Sequence, residues 1–245
     1  VITDAKAKLG DLALIRAEGD FEALIEDSVL RPLIRGSNID AWSAQSEHRI
    51  IFCHRDDTGA YQSPPRRAAR YLREHRVTDS KGRLGALQHA TPATELARVA
   101  WHDLASTLKA VVLPARSACL GSMRPVVVLN TVYYVTLPEP DAHVLTAYFN
   151  SLPVRVFARA IAERAKDAHF RFFASTVGQL PLPNDWRTTH ADLLREISVD
   201  AHQHGGISAD AQLQLDTLVA RAFGLSDAAL TAFRRFDQWL RGETP

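Results

Sequence analysis

A change of periodicity along the chain limits the folds open to it. Up to residue 137 the apolar residues gather in short β-branched or apolar runs of strand length, at 12–15, 50–53, 110–113, 126–129 and 132–137. Asn130-Thr131 lies between the last two runs as a turn, so the reading pairs them as a hairpin. Helical spacing appears at 66–75, at 94–107 around Trp101, and then almost continuously at 143–149, 154–165 and 191–202. Beyond His204-Gly205-Gly206, Ser208 is a good N-cap for an amphipathic helix over 211–223 closed by Gly224. Ser226 starts another helix, with Leu230, Phe233, Phe236 and Leu240 along one side, and the two form a helical hairpin. The expected class is α+β, with small mixed or antiparallel sheets, packed helices and a helical C-terminal pair.

Composition removes several alternatives. Apolar residues make up 46% of the 245, yet no run approaches the length of about 18 to 20 needed to cross a bilayer, and no signal peptide is expected from its pattern. Cys53 and Cys119 are far apart, giving neither a disulfide framework nor a zinc spacing, as expected of a cytoplasmic chain. The first residue is Val1, which reads as part of a longer polypeptide. Net charge is only +1, but it is unevenly placed. Residues 1–30 carry three basic and seven acidic side chains, residues 66–83 seven basic and two acidic, and residues 155–171 five basic and two acidic. Two basic patches on a neutral body suit a polyanion held locally.

The basic patches belong to an ordered series of landmarks. It opens with Leu30-Arg31-Pro32-Leu33-Ile34-Arg35-Gly36-Ser37-Asn38-Ile39, then Ile50-Ile51-Phe52-Cys53 and the basic helix Pro65-Arg66-Arg67-Ala68-Ala69-Arg70-Tyr71-Leu72. Trp101, Lys109-Ala110-Val111-Val112-Leu113-Pro114, Tyr133-Tyr134-Val135, Phe149-Asn150-Ser151 and Gln179-Leu180-Pro181-Leu182-Pro183 follow. In the tail come Leu215-Asp216-Thr217-Leu218-Val219-Ala220 and Phe223-Gly224-Leu225-Ser226. This order resembles the C-terminal target-recognition domain of Taq-type adenine-N6 DNA methyltransferases, enzymes of restriction-modification and phage defence. The resemblance implies a recognition domain over 1–187 with a helical extension over 188–245. It also implies double-stranded DNA as partner, and a methyltransferase catalytic domain, on the same polypeptide or on a partner chain, that holds S-adenosylmethionine.

The chemistry of methyl transfer has no counterpart in these residues. It needs a glycine-containing turn after a strand for the cofactor and an Asn/Asp/Ser-Pro-Pro-aromatic loop for the extruded adenine. Ser63-Pro64-Pro65 is followed by Arg66 where the stacking ring belongs, and a proline there is explained as a helix start. Gly82-Arg83-Leu84-Gly85 alone makes no cofactor loop. Neither catalytic residues nor a cofactor are therefore expected in this chain.

Candidate DNA contacts fall in three groups. Arg66, Arg67, Arg70 and Arg73 lie on the basic helix, with Arg66, Arg70 and Arg73 on one face and Ala68, Tyr71, Leu72 and His75 on another. In the second patch Arg164, Lys166, His169 and Arg171 interleave with aromatics; His169, Arg171 and Phe173 alternate with Phe170 and Phe172, as in an extended segment with a basic and an apolar face. Arg35, Asn38, Lys109, Arg116 and Arg124 are further candidates on loops or strand ends, since Arg reads guanine and Asn adenine bidentately. Two other classes stay open. The basic helix could dock an acidic protein partner, or Asp56 and Asp57 beside His54 could bind magnesium for a nuclease, although Asp57-Thr58-Gly59 reads more simply as a polar loop. His202-Gln203-His204 lacks the further ligands a metal needs.

Overall fold

A computed structural model describes residues 2–17, 22–46, 48–87, 90–240 and 242. It is an α+β structure of small sheets with seven α-helices among the described residues. No helix among them is long and apolar enough to cross a membrane. Two compact units are present, each made of three chain segments: Val1–Ile34, Gln45–Glu95 and Pro114–Leu129 in the first, Arg35–Ala44, Leu96–Leu113 and Asn130–Pro245 in the second. The segment 188–245 thus lies within the second unit, together with 130–187.

In the first unit a six-stranded sheet runs in the spatial order Val127–Val128, Leu30–Ile34, His48–Ile51, Ile2–Leu9, Leu12–Ala17, Glu22–Glu26. All its neighbours are antiparallel except the parallel first pair. Helix α1, Arg66–Glu74, lays Ala68, Tyr71 and Leu72 onto Ala13, Ile15, Ile25 and Leu30. Burying a side chain such as Leu72 or Ile15 stabilises by roughly 1.5 to 3 kcal/mol. His75, read from its spacing as part of the packing face, is exposed, with its ring 4.4 Å from that of Tyr71. Pro65 is the N-cap of α1, and the helix's first amides are taken from far away in sequence. Glu26 accepts from the backbone N–H groups of Arg67 and Ala68, both at 2.9 Å. Burial disfavours the Glu26 carboxylate, but those bonds outweigh it and hold its pKa below the ordinary value.

The second unit is built on a three-stranded antiparallel sheet ordered Ala110–Leu113, Ala97–His102, Val132–Leu137. Helix α2, Glu139–Asn150, is buried from Ala142 to Asn150 between this sheet and α5, Ala191–His204. Helices α3 (Leu152–Ile161), α4 (Ala174–Val177), α6 (Ala209–Ala222) and α7 (Asp227–Leu240) complete it. Side chains do several backbone jobs here. Asn150 accepts from Ala110 N–H at 2.9 Å and donates to Ala110 C=O at 2.8 Å, so one buried amide satisfies both backbone groups of Ala110 on the strand's outer edge. Asp216 accepts from Leu152 N–H at 2.8 Å at the start of α3, and Arg159 on α3 donates to Asp237 on α7. Ser208 and Ser226 cap their helices as expected, accepting from Ala211 and Ala229 at 3.2 Å, and Gly224 takes φ 67 between them.

Three expectations fail for identifiable reasons. The segment 94–107 is no helix but contains the strand Ala97–His102. Its apolar residues Ala97, Ala100, Trp101, Leu104 and Ala105 happen to fall at helical intervals, while burial of residues 97–101 on both faces removes the alternation that marks a strand. The runs 126–129 and 132–137 do not pair with each other. Val127–Val128 joins Leu33 and Ile34 in parallel, whereas Val132–Leu137 pairs with Ala97–His102, and Asn130-Thr131 is a crossing between units. Finally, the helix read over 154–165 stops at Ile161, and Glu163–Arg164 is a strand.

Candidate nucleic-acid interface

The second basic patch is a short antiparallel hairpin. Glu163–Arg164 pairs with Phe170–Arg171, which pairs on its other side with Leu104–Ala105. Phe170 and Phe172 are buried while Arg171 is exposed, the two-faced segment that the alternation predicts. It is pinned from beneath: Trp101 Nε1–H donates to Phe172 C=O at 2.7 Å, and Phe172 N–H donates to Asp103 C=O at 2.8 Å. At the tip Asp167 and Ala168 take φ 56 and 58, and His169 N–H bonds Lys166 C=O at 3.1 Å, as in a type I′ turn.

Arg164, Lys166, His169 and Arg171 line one open depression of about 570 Å³ together with Leu104, Glu163, Ala165 and Asp167. Glu163 approaches Arg171 Nε only to 3.6 Å, so its neutralisation is partial. The guanidinium groups of Arg171 and Arg164 lie 5.8 Å over Phe173 and 6.0 Å over Phe170, which orders them without removing their charge.

Sequence reading missed His102. Its ring packs on Gly36, where an added Cβ would fall 1.9 Å from the imidazole. Burial lowers the His102 pKa; Asp103, whose carboxylate is 3.3 Å away, opposes that, and His169 adds to it. No local pattern announces a contact spanning residues 36 and 102.

None of the remaining candidates lines this depression. In the turn Gly36–Asn38, Arg35 N–H donates to Asn38 Oδ1 at 2.9 Å, and Gly36 N–H donates to Thr131 Oγ1 at 3.1 Å. The Asn38 carbonyl thus closes its own turn, with one lone pair engaged by Arg35 N–H. Lys109 pairs with Asp40 at 2.9 Å. On the first unit Arg66, Arg67, Arg70 and Arg73 are all exposed on α1. Arg70 pairs with Glu74 at 2.7 Å, whereas Arg66 and Arg73 meet no acid among the described residues. Arg116 reaches Glu95 at 3.5 Å, and Arg124 lies 3.9 Å from Asp27.

The carboxylates near His54 are engaged by arginines. Arg31 holds Asp56 through two bonds of 3.0 Å, and Arg55 holds Asp57 at 3.0 and 2.7 Å. Both His54 ring nitrogens are used, Nδ1 on Gly59 C=O and Nε2 on Leu87 N–H, each at 3.0 Å. These residues do not fit a magnesium site. Of the two segments weighed for S-adenosylmethionine, Pro64-Pro65 leads into α1, whose first amides Glu26 occupies, and Gly82 and Gly85 lie in the loop after α1 instead of a strand-to-helix turn. Comparison with protein-family models and with curated proteins finds no match for the chain.

Proposed function

We propose that this chain is the double-stranded DNA recognition module of an adenine-N6 DNA methyltransferase of restriction-modification or phage defence. The base chemistry and S-adenosylmethionine then belong to a catalytic domain outside these residues, on the same polypeptide or on a partner chain. One observation carries the reading: four basic side chains, Arg164, Lys166, His169 and Arg171, share one open depression on a segment that Trp101 and Asp103 hold rigid. Cations on a fixed strand can meet both phosphates and base edges, and positioning is what phosphate contacts supply. The exposed arginines of α1 offer a second set of phosphate contacts on the first unit.

The test is duplex binding by the whole chain as a function of salt. Each neutralised phosphate contributes about −0.9 to the log-log slope, so the three cations of the depression, Arg164, Lys166 and Arg171, alone give about −3. Calorimetry with S-adenosylmethionine is expected to show no heat of binding. A slope near zero, or tight cofactor binding, overturns the reading.

A further inference from the structure

We propose that His169 reads an exocyclic amino group of a base, adenine N6 or cytosine N4, by accepting its hydrogen bond at Nε2. The inference rests on the DNA-recognition reading above. Arg164, Lys166 and Arg171 can only donate, which matches them to phosphate oxygens and to guanine O6 and N7. A module carrying only such groups discriminates guanine and little else. His169 differs in kind. Its Nδ1 lies 2.8 Å from Asp167 C=O, and a carbonyl oxygen only accepts, so Nδ1 carries the proton of the neutral ring and Nε2 carries the lone pair.

That tautomer is held by the hairpin tip. His169 N–H bonds Lys166 C=O at 3.1 Å and Ala165 N–H bonds His169 C=O at 2.8 Å, so the main chain is tied on both sides of the ring. Phe170, the next residue, is buried and paired with Ala105. Among the described residues no hydrogen bond engages Nε2. Glu163 and Asp167 are the other acceptors lining the depression, but both are carboxylates, and Glu163 faces Arg171. In its neutral form the ring offers an acceptor among cations that sits beside the DNA backbone without repelling it. In the major groove, the hydrogen-bond donors on base edges are the adenine N6 and cytosine N4 amino groups.

The experiment selects duplexes from a randomised library at pH 8 with the whole chain, then measures Kd for the best duplex and for its analogue lacking the amino group, purine for adenine or 2-pyrimidinone for cytosine. Wild type is expected to restrict one position to adenine or cytosine and to lose roughly 2- to 12-fold in affinity with the analogue, the worth of one neutral hydrogen bond. His169→Ala abolishes both the restriction and the analogue effect, and His169→Gln, which keeps an acceptor, recovers part of each. Sequence-selective binding in which His169→Ala retains the same restriction and the same analogue loss overturns the proposal while leaving DNA recognition standing. No duplex binding at all overturns the proposed function, and this inference with it.

Discussion

Acid is expected to weaken the second unit through His143. Its side chain is 9% exposed, with Nδ1 3.0 Å from Ser198 Oγ, and its ring lies 4.9 Å from His202. Burial, with the nearby His202 and Arg195, pushes the His143 pKa down from 6.5 to about 4. His202, whose Nε2 accepts from Val112 N–H at 2.9 Å, is lowered by burial in the same direction. A depressed histidine pKa means that the unfolded chain binds the proton more readily. Stability is therefore full above pH 6.5 and falls as pH drops through 6.5, levelling off below about 4. For His143 alone the complete loss is about 3 kcal/mol, of which about 2 kcal/mol falls between pH 7 and 5. Trp42, Trp101, Trp186 and Trp239 all belong to the second unit, so tryptophan fluorescence in urea reports on it specifically. The measurement compares unfolding free energies of wild type and His143→Gln at pH 7, 6 and 5. The gap between the two proteins should close toward acid by about 2 kcal/mol. Parallel pH curves refute the reasoning, because other titrating groups are common to both.

Further perturbations separate the roles assigned above. Replacing Arg66, Arg70 and Arg73 together by Ala is expected to weaken binding equally for all duplexes and to flatten the salt slope by up to about 3 units; unchanged binding with the fold intact removes α1 from the interface. In a complete methyltransferase, Arg171→Ala is expected to relax one position of the recognised site by roughly 1 to 3 kcal/mol, and Lys166→Ala to lower methylation uniformly, as read from methylation over a randomised library. Asn150→Leu strips Ala110 N–H of its partner and is expected to cost roughly 1 to 3 kcal/mol in urea unfolding. Ala168→Gly relieves a left-handed alanine in the hairpin tip and should raise stability by about 1 kcal/mol, whereas a fall in melting temperature contradicts the turn geometry.

The last two helices were legible because their signals are local: Ser208, Gly224 and Ser226 mark their ends within a turn, and their apolar stripes repeat every three to four residues. The two-faced character of His169 to Phe173 was legible for the same reason, since alternation is a property of neighbours. What the sequence hid is what distant residues do for one another. Glu26 supplies the cap of α1 across more than forty positions, Asn150 supplies the edge partner of Ala110, and Gly36 makes room for His102. The strand Ala97–His102 was concealed by its own burial. Both basic patches show in the charge pattern, but it is folding that separates Arg66 and Arg73 from Lys109, whose charge Asp40 answers.

The interleaving of the two units limits how the molecule can be taken apart. The chain passes from one unit to the other five times, after Ile34, Ala44, Glu95, Leu113 and Leu129. A single cut anywhere before Asn130 therefore leaves fragments in which at least one unit lacks a strand of its own sheet or a piece of its core. A cut at 187/188 divides the second unit instead, severing α5, with Leu194 and Ala201, from α2. Neither unit can be deleted, swapped or inherited as a contiguous cassette. If the chain reads DNA as proposed, exchange of specificity would have to proceed through the hairpin at 163–171 or individual loops, grafted into an otherwise intact polypeptide.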